Sequence, residues 1–252
     1  MRTTLRLTIL ALVITFTTTG CSYLIRSTLR SAGNAIGDEI GRGIGEAVVA
    51  DLSPMMEQLY IDTLFAMTFN SGGYHVQGKA YRVGEWTRWE VEGQDAGDWS
   101  ERAYLGNDAK GNQWWRMTYF DAENDQTMVL EALISADYEE ILRMRRLFPG
   151  DEGPQEIPVE EGTGFVPPRK LTDESLQGAL VGRESITVPA GTFNARHHRF
   201  ASGADGTWSW WLTDTVPGGV VKQAGSRSGG DSEWVINLAK FGTGAKSQLG
   251  SL

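Results

Sequence analysis

Cys21 is the only thiol in the 252-residue chain. It has no partner for an internal disulfide, so its chemistry is that of a free nucleophile or an attachment point. His75, His197 and His198 are the only histidines. Adjacent residues on a strand point to opposite faces, so His197 and His198 cannot easily share one metal. Ser185 or Ser209 could be combined with a histidine and an acid, as in most chains, but no Gly-x-Ser-x-Gly elbow presents a nucleophile. Gly41-Arg42-Gly43-Ile44-Gly45 does not follow a strand and lacks the spacing of a dinucleotide loop. The acids of residues 149–163 are crowded among prolines and glycines, where solvation explains them. The expectation is a protein that is not an enzyme and needs neither metal nor cofactor.

The surroundings of Cys21 give it a different task. Arg2 and Arg6 precede the apolar run Leu7 to Phe16, and Thr19-Gly20 places small residues before the cysteine. This is the layout of an export signal. Its apolar stretch of about ten residues falls short of the roughly 20 that span a bilayer. Thr18-Thr19-Gly20-Cys21 resembles the lipobox of bacterial lipoproteins, with Thr18 where leucine is commonest. The resemblance implies diacylglycerol on the Cys21 thiol, cleavage before it, and a further acyl chain on the new amine. Two or more such chains anchor a protein stably to a membrane. By the same resemblance, Ser22 implies sorting to the outer membrane.

The formal net charge is −9, and loss of residues 1–20 removes two arginines and no acid. A surface this acidic repels nucleic acid and anionic headgroups, which excludes nucleic acid as a partner. The length suits one sizeable core or two small ones.

Between residues 21 and 50, Gly33, Gly37, Gly41 and Gly45 repeat every fourth position, and Ile36, Ile40, Ile44 and Val48 repeat at the same spacing. On a helix the two rows would lie side by side, the glycines permitting close approach of a packing partner. Glycine costs about 1 kcal/mol per residue in a helix relative to alanine, so such a helix needs that partner. A flexible tether between lipid and domain explains the same residues, and both readings stand. Leu52 to Phe69 reads as a second helix, started by Asp51 or Ser53 with Pro54 in the first turn and stopped by Asn70-Ser71-Gly72-Gly73.

From Tyr74 onward, short extended runs alternate with turn residues. Strands are expected at 74–83, 85–92, 99–105, 113–120, 127–134, 180–188, 193–200, 207–213, 219–224 and 232–238. Residues 138–148 fit either a helix or a strand, and the strand is preferred because the neighbours read as a meander. Residues 149–163 form a long acidic loop, and residues 242–252 read as a flexible tail. The main domain spans 51–241.

Ile186-Thr187-Val188-Pro189-Ala190-Gly191-Thr192-Phe193, followed by Trp210-Trp211-Leu212-Thr213-Asp214-Thr215-Val216-Pro217-Gly218-Gly219-Val220-Val221-Lys222, resembles a motif of bacterial envelope proteins related to the lipoprotein-sorting carrier and receptor. The resemblance covers about residues 180–224, with looser similarity from Tyr74 to Phe148. It implies a highly curved antiparallel sheet whose mouth is closed by helices over an apolar cavity. The expected fold is therefore mainly β, a highly curved sheet or half-open barrel with amino-terminal helices over one side.

Nine tryptophans and their spacing bear on the same question. Trp86 and Trp89 fall on opposite faces of a strand, Trp114 and Trp115 divide likewise, and Trp208 and Trp210 share a face that Trp211 does not. Large aromatics on both faces need two covers: helices, an apolar ligand, or a partner protein. Trp86, Trp89, Trp114, Trp208 and Trp210 are the candidates for core or cavity lining. The leading expectation is a periplasm-facing outer-membrane lipoprotein whose domain binds a lipid, an acyl chain or an envelope protein. The alternative is a structural protein assembling through the glycine row without a cavity.

Overall fold

The computed structural model describes residues 74–75, 78–92, 97–159, 168–202, 206–226 and 234–252. Cys21, the glycine row and both expected amino-terminal helices lie outside the described residues. The strands are β1 (Tyr74–His75), β2 (Trp86–Val91), β3 (Trp99–Asn107), β4 (Gln113–Asp121), β5 (Gln126–Ile134), β6 (Ile141–Leu147), β7 (Gln155–Ile157), β8 (Arg169–Lys170), β9 (Leu180–Val188), β10 (Gly191–Ser202), β11 (Gly206–Leu212), β12 (Val220–Ser226) and β13 (Trp234–Gly242). One helix, α1 (Asp173–Gly178), interrupts them.

Eleven strands form one sheet in the order β7-β6-β5-β4-β3-β2-β13-β12-β11-β10-β9. Every neighbouring pair is antiparallel. Two meanders, β2–β7 and β9–β13, run outward in opposite directions from a seam where the first strand of one pairs with the last strand of the other. At the seam Trp89 lies opposite Leu238. β1 and β8 form a separate parallel pair.

The turns explain why the chain reverses where it does. Asp108 Oδ1 accepts from the backbone N–H groups of Lys110 and Asn112 at 2.8 and 3.0 Å. Asp121 Oδ1 accepts from Glu123 and Asn124 in the same way, and Asp125 takes a left-handed φ of 50°, which a short polar side chain tolerates. Pro189-Ala190 turns β9 into β10.

The expectation of a highly curved sheet or half-open barrel is corrected: the strand order is linear, β7 and β9 are not paired with each other, and the sheet is neither closed nor strongly curved. Strand count does not determine closure, which depends on how the edge strands meet. α1, with six residues, is the only helix among the described residues. The stretch 74–83 is not one strand. After β1, Lys79 makes a single bridge to Pro217, and Arg82 to Glu85 form a turn. Residues 141–147 are a strand, and part of the acidic loop forms β7. The tail is not loose: residues 245–251 cross one face of the sheet and bond to it, as described below.

Pro217-Gly218-Gly219 has a role beyond turning the chain. Gly218 N donates to Lys79 O at 2.7 Å, and a Cβ on Gly78 would sit 2.3 Å from Gly218 O. Gly219 adopts φ 75°, and its own Cβ would meet Gly78 Cα at 2.4 Å. Backbone meets backbone here, so only glycine fits on either side.

The registers divide the side chains between two faces. One face carries Trp115, Met117, Leu130, Ala132, Ile134 and Met144 over the first meander. It continues with Trp89, Leu238 and Val221 to Trp234, Trp208, Trp210 and Leu212 over the second. The opposite face carries Trp86, Ala103, Leu105 and Trp114.

Candidate functional site

The opposite face of the first meander holds a row of charges rather than a simple apolar layer. Arg88 faces Glu101 across β2 and β3, with Nη2 2.9 Å from Oε2. Glu101 Oε1 also accepts from Arg116 Nη2 at 2.8 Å. Glu131, the direct register partner of both Arg116 and Arg145, accepts from Arg145 Nη2 at 2.8 Å. Arg143 and Glu156 extend the row to the exposed rim with a two-point ion pair. Aromatic rings lie between the charges, with the Arg88 guanidinium 3.7 Å from the centre of Trp99 and that of Arg145 4.4 Å from Trp114.

The carboxy-terminal strap completes this row. Arg116 Nη1 donates to Lys246 O at 2.6 Å, and Arg145 Nη1 donates to Ser251 O at 3.0 Å. Glu131 Oε2 accepts from the Ser247 hydroxyl at 2.8 Å, and its Oε1 accepts from Gln248 N at 2.7 Å. Glu131 is fully buried, at 0 % exposure. A buried charge is tolerated only when its hydrogen-bonding capacity is filled, and the strap supplies what the sheet does not. Leu249 is buried with it.

The second meander presents aromatic clusters on both faces. On one, His197 stacks on Trp211 with ring centres 4.3 Å apart. Glu184 Oε1 accepts from Trp211 Nε1 at 2.5 Å and lies 3.2 Å from His197 Nδ1. Burial pushes the His197 pKa down, opposed by the nearby Glu184 carboxylate and assisted by Arg199 and His198. On the other, Trp208 and Trp210 meet edge to face at 5.2 Å. Phe200 lies 5.4 Å from Trp210, and Trp234 lies 6.3 Å from Trp208.

α1 sits over this second cluster. Thr172 Oγ1 caps it by accepting from Ser175 N at 3.1 Å. Leu171 and Leu176 pack against Trp210 and Leu212. His198 Nδ1 is 3.0 Å from Leu176 O, and burial is the main cause holding the His198 pKa down.

The five tryptophans singled out from the sequence do not converge on one place. Trp208 and Trp210 lie in the cluster under α1, whereas Trp89 stands beside it at the seam. Trp86 and Trp114 pack together on the opposite face near Ala245. An open cleft of about 420 Å3 lies elsewhere, between Glu90, Val91, Glu92, Asn237 and the Thr187–Pro189 turn. Asn237 Nδ2 donates to Glu92 Oε1 at its edge. Among the described residues, no three His, Cys, Asp or Glu side chains are grouped to hold a metal.

Sequence reasoning missed the ionic row. A usable signal was present: Arg116 stands between Trp115 and Met117, and Glu131 between Leu130 and Ala132. A charge inside an apolar run on a strand signals burial with a partner.

No family model matches the chain, and no curated protein matches it. Solved structures that resemble it include a candidate lipoprotein from Parabacteroides distasonis, at 10% identity and a TM-score of 0.33, over 65% of this chain and 97% of that one. A candidate exported protein with a YmcC-like fold from Bacteroides fragilis matches at 12% identity and a TM-score of 0.33, over 66% of this chain and 98% of that one. At these TM-scores the likenesses carry no argument about fold or function.

Proposed function

We propose that this chain is a membrane-tethered, non-catalytic binding protein of the bacterial envelope, held by acyl chains on Cys21 and using its β-sheet domain to bind an apolar ligand. The Arg2/Arg6–Leu7 to Phe16–Gly20-Cys21 arrangement supports the tether, and Ser22 supports the outer membrane as its site. The observation that carries the binding role is the Trp208–Trp210–Phe200–Trp234 cluster. It gathers four aromatic rings on one face of the sheet, against Leu171 and Leu176 and a helix of six residues that has no buried residue of its own. Native mass spectrometry of the protein extracted from membranes tests this reading. Discrete co-purifying small-molecule mass is expected, and a spectrum of the bare polypeptide with its acyl chains alone would count against it.

A second reading, a structural protein that docks an envelope partner, is favoured by the sheet edges. Neither β7 nor β9 has a strand partner on its outer side among the described residues, and an unpaired edge is a template for another chain.

A further inference from the structure

The cleft between the seam and the tip of the β9–β10 hairpin lies outside both the aromatic clusters and the ionic row. It has a volume of about 420 Å3 and is lined by Glu90, Val91, Glu92, Asn237 and the turn Thr187–Pro189. Its polar side chains meet at one residue. Glu90 stands directly opposite Asn237 in the β2–β13 register, which sets the two side chains next to each other on one face. Glu92 reaches the same residue, its Oε1 accepting from Asn237 Nδ2. Asn237 stands between Ile236 and Leu238 and is only 5 % exposed.

These three groups offer acceptors and no spare donor. A carboxylate oxygen can only accept, so the contact with Glu92 commits Asn237 Nδ2 and leaves Oδ1 as the free end of the amide. That oxygen has no hydrogen-bond partner among the described residues, although the side chain that carries it is buried. A buried polar group with unfilled capacity asks for an explanation. The charges are unmatched as well, since neither Glu90 nor Glu92 forms an ion pair among the described residues. Arg88, on the same face as Glu90, is held by Glu101. Lys222 lies opposite Asn237 on its other side, with its Nζ over the Trp211 ring, 5.4 Å from the ring centre.

We infer that this cleft is a binding site for a primary ammonium group carried on a short hydrocarbon body. An ammonium has three N–H donors and no acceptor, which matches the Glu90 carboxylate, the Asn237 amide oxygen and the remaining Glu92 oxygen. Its charge answers the two carboxylates, and hydrogen bonds between ionised groups are stronger than neutral ones. Val91, Val188 and Pro189 give the hydrocarbon an apolar wall. The same carboxylates repel an anion. A hard divalent cation such as calcium takes about six to eight oxygens, more than these three side chains supply.

The site goes beyond the apolar-ligand role proposed above and stands or falls apart from it. The full mature chain carrying Cys21→Ser is labelled with 15N, and the Asn237 side-chain amide is followed, assigned by its loss in Asn237→Leu. n-Butylammonium, N,N,N-trimethylbutylammonium, 1-butanol and calcium are titrated separately at constant ionic strength. The Asn237 amide is expected to shift and saturate with n-butylammonium. The trimethylated ion keeps the charge without N–H donors, and butanol keeps a donor without the charge. Each should need at least about tenfold more for the same shift. Glu90→Gln, checked for an unchanged backbone spectrum, should weaken n-butylammonium by about fivefold or more, while the Trp208 and Trp210 indole resonances stay in place. No saturating shift, an equal response to the trimethylated ion or butanol, or undiminished binding in Glu90→Gln overturns the site. Calcium that saturates the shift and displaces the amine would overturn the ligand class in favour of a metal.

Discussion

The Glu131 carboxylate on β5 accepts a hydrogen bond from the Ser247 hydroxyl, 116 residues later in the chain, at 2.8 Å. The same carboxylate holds Arg145 on the neighbouring strand. The last residues of the chain are therefore part of the sheet's electrostatic structure, and the ionic row depends on them.

Glu131→Ala leaves Arg145 buried without its carboxylate and releases two strap bonds. It should cost about 3–5 kcal/mol, the usual penalty for breaking a buried pair on one side. Ser247→Ala removes the hydroxyl that bonds the Glu131 carboxylate, together with its contacts to Gly250 O and Leu249 N, and should cost about 1.5–3 kcal/mol. Urea titration measures both. Equal, small losses would mean that the row is hydrated and the strap incidental.

The strap also predicts a pattern of proteolysis. Carboxypeptidase should remove Leu252 from the wild-type protein and then slow, because Ser251 O is held by Arg145 and Leu249 is buried. In Glu131→Gln the trimming should continue through Ala245. Rapid trimming of the wild type would show the tail to be free in solution.

Trp210 and Trp211 are sequence neighbours with opposite surroundings. Trp210 is buried, and Trp210→Ala should cost about 3–5 kcal/mol. Trp211 is half-buried between His197 and Lys222, so its replacement should cost about half as much or less. Chemical denaturation of the two variants decides it, and a reversed order would contradict the assignment of faces.

His197 and His198 both have pKa values held below the ordinary histidine range, with burial as the leading cause. The unfolded chain therefore takes up these protons first. Stability from the neutral rings is fully present above the unfolded value of about 6.5 and declines as pH falls below it. Charges on Glu184, Arg199 and Arg196 set how far each shift extends. His198→Asn should flatten the fall in unfolding free energy between about pH 6.5 and 5 relative to wild type. Superimposable slopes would remove His198 as a contributor.

Runs rich in aromatic and β-branched residues, bounded by turn residues, made most of the strands legible. The division of Trp208 and Trp210 from Trp211 follows from a strand's period of two. Sheet closure was not legible, since nothing local in β7 or β9 states whether those edges meet. α1 was missed because its six residues have no apolar period. The strap was misread because Gly, Ser and Lys are ordinary tail residues. The value of Ser247 lies in Glu131, which only the three-dimensional register brings to it. Glu101, Arg116, Glu131 and Arg145 were each visible, but their pairing depends on registers that single-sequence periodicity does not supply.

The tether is the central claim, and membrane fractionation with metabolic acyl labelling tests it most directly. Wild-type protein should carry label and sediment with the outer membrane, and Cys21→Ala should be unlabelled and released to the soluble periplasmic fraction. Unlabelled wild-type protein in the soluble fraction would contradict the account.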